Sequence, residues 1–166
     1  MGKKKIKVLF VCFGNICRSP TAAAVFKKTV ENEGLHEVIE VDSAGTSGYH
    51  IGDKADVRSR DAAASRGYDM SDHRGRRVEV EDFSTFDYIL AMDNDNYSQL
   101  ATLCTAGNWN KLKMFMAFGD GFPGKEVPDP YYGGPSGFEL VLDMVESASQ
   151  GLLRDIKEKH LSKTEA

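Results

Sequence analysis

The chain has 166 residues, 41% of them hydrophobic, 28% charged and 10% aromatic, which is the length of one domain and the composition of a folded globule. Disordered, collagen-like and disulfide-scaffold classes are excluded on these figures. Lys and Arg total 21 against 25 Asp and Glu, so the net charge of -4 draws in neither nucleic acid nor an anionic membrane, and any anion must be caught locally. In chain order, Lys3, Lys4, Lys5 and Lys7 read as a solvated tail. Residues 6–11 form a run rich in β-branched and large apolar side chains, which predicts a strand. The apolar run stops too soon for a signal peptide or a membrane span, and Cys12, Cys17 and Cys104 have no metal-ligand spacing. These features predict a cytoplasmic protein with reduced thiols and no metal.

Apolar residues at helical spacing predict a helix over 20–33, stopped before Gly34. A strand is predicted over 38–42, a helix over 55–66 ended by Gly67, a strand over 88–92, a helix over 94–104 and a strand over 112–115. A loop rich in Gly and Pro follows from 119 to 135. The final helix is marked by the stripe Phe138, Val141, Leu142, Val145, Ala148, Leu152, Leu153 and Ile156, with Ser136 and Glu139 as a capping box. Strands alternating with helices predict a doubly wound α/β domain over 1–166, with a parallel sheet and helices on both faces. Ligands in such sheets bind beyond the carboxyl ends of the strands, which draws attention to the loop opened by Cys12.

That loop reads Cys12-Phe13-Gly14-Asn15-Ile16-Cys17-Arg18-Ser19-Pro20. Gly14 is expected to permit backbone angles that turn successive N–H groups into one concavity. Ser19 is expected as the N-cap and Pro20 as the first helical residue, so that the positive end of the helix faces the same concavity. Arg18 adds a planar fork able to hold two oxygens of a phosphoryl group. A thiol beside a helix N-terminus and a cation ionises readily, and a thiolate in a phosphate cradle is a nucleophile aimed at phosphorus. Cys17, the second thiol of the loop, suggests capture of oxidised Cys12 as a reversible Cys12–Cys17 disulfide.

The segment VLFVCFGNICRSP, from Val8 to Pro20, resembles the signature of the low-molecular-weight protein tyrosine phosphatases. The similarity extends through Asp42-Ser43-Ala44-Gly45-Thr46, Asp72-His73-Arg74, Met92-Asp93 with Asn96, and Asp129-Pro130-Tyr131-Tyr132. It implies four parallel strands, and hydrolysis of phosphotyrosine in proteins through a cysteinyl-phosphate intermediate with inorganic phosphate as product. No metal or organic cofactor is implied.

A phenolate leaving group calls for a proton, and the resemblance implies Asp129 as the acid, with Asp93 and Asp120 as weaker candidates. Tyr131, Tyr132 and Tyr49 are placed to flank a planar substrate ring, and the resemblance implies active-site roles for Tyr131 and Tyr49. It further implies that Asn15, Ser19, Ser43 and His73 form a hydrogen-bonded support for the loop, and that Asp93 and Asn96 are structural. Phe13, Gly14, Asn15, Ile16, Cys17 and Ser19 are thus expected to surround the substrate. His50 is assigned no role.

The glycine pattern from Gly119 to Gly124 imitates a dinucleotide site, but Pro123, Pro128 and Pro130 leave no room for the helix such a site needs. An arsenate reductase would require two further relay cysteines, which Cys104 alone does not supply. By the same resemblance, related phosphoarginine phosphatases typically carry Thr and Phe at the positions of Ile16 and Tyr131, so these two residues imply phosphotyrosine instead. An interaction module that binds phosphoproteins without turnover would need neither Cys12 nor Asp129.

Overall fold

The apolar run behind the basic tail forms β1 (Ile6–Cys12), buried without interruption from Val8 onward, as a strand at the centre of a parallel sheet must be. The computed structural model describes residues 5–122, 126–130 and 135–161. β1 pairs in parallel with β2 (Ile39–Gly45) on one side and β3 (Tyr88–Ala91) on the other, and β3 pairs with β4 (Leu112–Met114). The order β2-β1-β3-β4 is the four-stranded, doubly wound sheet that was expected. β2 runs past its predicted end at 42 because its last residues pair with the end of β1, Cys12 opposite Gly45.

Among the described residues five α-helices accompany the strands: α1 (Arg18–Asn32), α2 (Val57–Ser65), α3 (Asp82–Thr85), α4 (Asn94–Leu103) and α5 (Pro135–Ile156). The sequence reading lacks α3 and the 3-10 turns Trp109–Lys111 and Phe115–Phe118, since three or four residues are too few to display a period. Alternation along the strands divides the interior in two. Val8, Phe10, Cys12, Tyr88, Leu90 and Met92 face a core shared with α1 and α5, whereas Leu9, Val11, Ile89 and Ala91 face Phe83 of α3 and Leu100 of α4.

Phe10 meets Phe26 and Phe115 edge-on at 5.8 and 4.9 Å, contacts that contribute roughly 0.5–1.5 kcal/mol each beyond burial, and so seats β1 against α1. The whole predicted stripe of α5 is buried. Its capping box is not formed: the helix already begins at Pro135, and the Glu139 carboxylate instead accepts from Arg66. No helix among the described residues is long and apolar enough to cross a membrane.

Candidate active site

Strand order reverses between β1 and β3, and the side chains that follow these two strands meet there. Cys12 ends β1 and is 2% exposed, with its Sγ accepting from the Asn15 N–H at 3.3 Å and lying 3.0 Å from Ser19 Oγ. The start of α1 differs from expectation. Cys17 is the N-cap, Arg18 opens the helix, and Ser19 and Pro20 lie inside its first turn. Ser19 therefore spends its hydroxyl on the sulfur rather than on a cap. With no side chain capping α1, its first N–H groups are left for an anion, and the sulfur sits at that positive end.

The backbone turn also differs. The left-handed residue is Asn15 (φ 58°), not Gly14. Asn15 is one of the few side-chain-bearing residues that visit this region, at a cost of roughly 1–2 kcal/mol. Its amide offsets that cost: Nδ2 donates to Ser19 Oγ (2.8 Å) and Ser43 Oγ (3.0 Å), and Oδ1 accepts from the Arg76 N–H (2.9 Å). Three such bonds, each contributing roughly 0.5–1.5 kcal/mol, outweigh the strain. His73 Nε2 lies 2.6 Å from the Asn15 carbonyl, so that nitrogen carries the proton and donates, while burial holds the ring's pKa below the usual histidine value. The expected support of Asn15, Ser19, Ser43 and His73 is thus one connected network. Gly45 matters here too, since a Cβ would come within 2.8 Å of the Phe13 carbonyl.

Arg18 is 4% exposed, and its Nη1 is fully used by the scaffold, donating to Asp93 Oδ2 (2.6 Å) and the Val127 carbonyl (3.0 Å). Burial by itself would lower the guanidinium's pKa, but Cys12, Asp93 and Asp129 together raise it above the ordinary arginine value. Asp93 serves twice, its other oxygen accepting from the Asn96 N–H to cap α4. Val127 is held in turn by its N–H on the Met92 carbonyl (2.7 Å). Pinning Val127 to β3 and to Arg18 brings Asp129 to the site, with Oδ2 4.0 Å from Arg18 Nη2. Asp120 is not brought there; its backbone bonds to Ser147.

Cys12, Phe13, Gly14, Ile16, Cys17, Arg18, His50 and Asp129 line a hollow of about 250 Å³. A larger one of about 720 Å³, between α1 and residues 67–74, has walls of mixed charge and lacks the thiol, so the chemistry belongs to the smaller. Tyr49 does not line the hollow. It is 80% exposed and stands outside Phe13, ring centroids 6.1 Å apart. His50, to which no role is assigned from the sequence, does line it; a Cβ on Gly14 would meet the His50 ring at 3.1 Å. Tyr131 and Tyr132 lie outside the described residues.

The family model for low molecular weight phosphotyrosine protein phosphatase matches residues 7–163. The chain is 46% identical over 136 residues to the human low molecular weight phosphotyrosine protein phosphatase, spanning 81% of this chain and 85% of the human one. It is 44% identical over 156 residues to the Streptomyces coelicolor low molecular weight protein-tyrosine-phosphatase, spanning 92% and 94%. The crystal structure of a protein tyrosine phosphatase from Entamoeba histolytica, with Hepes in the active site, is similar at a TM-score of 0.90 and 47% identity, over 93% of this chain and 98% of that one. Since the family model's match takes in the loop after β1, strands β2 to β4 and Asp129, this chain belongs to the low molecular weight phosphotyrosine protein phosphatase family.

Proposed function

We propose that the protein, as a single domain over residues 1–166, hydrolyses phosphotyrosine in cytoplasmic proteins and releases inorganic phosphate. The observation that carries this reading is the convergence of Cys12, Arg18 and Asp129 on one hollow at the uncapped start of α1. Cys12 Sγ attacks phosphorus while the aryl oxygen leaves with a proton from Asp129. Arg18 and the loop amides from Phe13 to Ser19 hold the equatorial oxygens as their charge builds up, a task that needs positioning rather than covalent chemistry. Water then attacks the cysteinyl phosphate, Asp129 takes its proton, and the thiolate is restored. Phe13 and, farther out, Tyr49 supply ring faces for a phenyl ester, and Tyr131 and Tyr132 are substrate-binding residues in this reading. Ser43 and His73 act only by holding Asn15. Nucleic acid, membrane and cofactors have no part in it.

Asp129→Asn tests the acid. Its kcat/KM, which reports the steps up to phosphoryl transfer to Cys12, should fall by about 10²- to 10⁴-fold on phenyl phosphate, whose leaving group needs a proton, and far less on p-nitrophenyl phosphate. Equal losses on both esters would remove Asp129 from that role. Hydrolysis of phosphoarginine but not phosphotyrosine by the unaltered protein would overturn the substrate assignment.

Cys17 sets a pH dependence for oxidation. Burial chiefly, with the Asp56, Cys12 and Asp129 charges, pushes its thiol up to about 12 against a hydrogen bond from Ser59. Once peroxide converts Cys12 to a sulfenic acid, the Cys17 thiolate attacks that sulfur and hydroxide leaves. Below pH 12 the thiolate fraction grows with pH, so disulfide formation should accelerate by about tenfold per unit between pH 7 and pH 9. Mass spectrometry of peroxide-treated protein follows this directly. Sulfinic acid on Cys12 with no disulfide at the upper pH would refute the pairing.

A further inference from the structure

The catalytic hollow does not end at Asp129. Phe13, Arg18 and Asp129 also line a second hollow of about 530 Å³, which continues over the first turn of α4. Its far side is made by Asp93, Asp95, Asn96 and Gln99. Asp93 is paired with the Arg18 guanidinium and Asp129 holds the proton for the leaving group, so Asp95 is the lining carboxylate left to give this hollow its charge. Asp95 is exposed, and its carboxylate makes no hydrogen bond or ion pair among the described residues. Asn96 is 2% exposed, and its Oδ1 has no hydrogen-bond partner among the described residues. Across the catalytic mouth the surface is different, with Tyr49 and Ile51 exposed.

A space of this size, with the unpaired Asp95 carboxylate on its wall, suits a long side chain that ends in hydrogen-bond donors. The half-exposed Phe13 ring at the boundary between the two hollows offers a face for such a chain's aliphatic stem or its cation. We propose that this hollow receives a lysine or arginine flanking the phosphotyrosine, so that the preferred substrates are phosphoproteins with a basic residue beside the modified tyrosine. The inference rests on the tyrosine phosphatase reading and narrows its substrate class. Asp95 is the specificity residue, reaching the flanking charge and not the phosphoryl group.

The test uses the full chain and short phosphotyrosyl peptides carrying Lys, Ala or Glu at each flanking position in turn. Values of kcat/KM are normalised to the same protein's turnover of p-nitrophenyl phosphate, which has no flank. At low salt at least one position should favour Lys over Glu by about three- to fivefold, the range of an exposed ion pair, and the preference should shrink as salt is added. Asp95→Lys should abolish or reverse that ratio, with Asp95→Asn in between. A merely structural role for Asp95 would leave the ratio within each variant unmoved. No preference at any position, or one that survives Asp95→Lys, would overturn the inference. Turnover of p-nitrophenyl phosphate with no peptide hydrolysed would instead overturn the phosphotyrosine reading, and this inference with it.

Discussion

Cys12→Ser is expected to abolish turnover, lowering kcat on p-nitrophenyl phosphate by about 10⁴-fold or more, the scale on which loss of an enzyme nucleophile is felt. The sulfur is the atom on which the Asn15 N–H, Ser19 Oγ and the open end of α1 converge. A hydroxyl in its place keeps its proton at neutral pH and is a poor nucleophile toward phosphorus. The swap is nearly isosteric and can retain the bonds to Ser19 and Asn15, so the melting temperature and the affinity for inorganic phosphate should change little. Acid-quenched protein should carry phosphate on cysteine before the substitution and none after it. Turnover within tenfold of the unaltered protein would dispose of the covalent route.

Arg18→Lys should come next in size, with kcat/KM down by about 10³-fold despite the unchanged formal charge. The guanidinium performs two tasks with one rigid plane. Nη1 ties the β1 loop to Asp93 and Val127, and the rest of the fork is left for the phosphoryl oxygens. A lysine ammonium is a point charge on a flexible stem; turned toward Asp93 it abandons the substrate, and turned toward the substrate it abandons Asp93. Because the lost contacts are strongest in the transition state, most of the fall should appear in kcat rather than KM. A variant that kept its kcat and raised only KM would make Arg18 a binding residue alone. Thermal melting would show how far Asp93, deprived of its fork, loosens the start of α4.

Cys12 and Arg18 were legible because they belong to one short loop, whereas Asp129 stood out through the resemblance to the phosphatase family, Asp-Pro being common turn chemistry. Less legible was what holds them. The Arg18–Asp93 and Arg18–Val127 bonds join residues 75 and 109 positions apart, and local pattern contains no trace of such pairings. The glycine rule pointed to Gly14 as the turning residue. Asn15 takes that conformation instead, since Ser19, Ser43 and the Arg76 backbone together bind its amide, and Ser43 and Arg76 lie far along the chain. Ser19 read as a cap by its type and place, yet the nearness of the Cys12 sulfur redirected its hydroxyl.

By itself the sequence determined the alternation of strands and helices, the buried stripe of α5 and the identity of the thiol and guanidinium groups. Periodicity and short-range spacing are properties of neighbouring residues, so they survive without a fold. Only the tertiary structure decided that Asp129 rather than Asp120 reaches the hollow, that His50 enters its wall while Tyr49 stands outside, and that an acidic hollow adjoins it. Those outcomes depend on which strand ends meet at the sheet's reversal and on the hydrogen bonds that pin one distant loop to another.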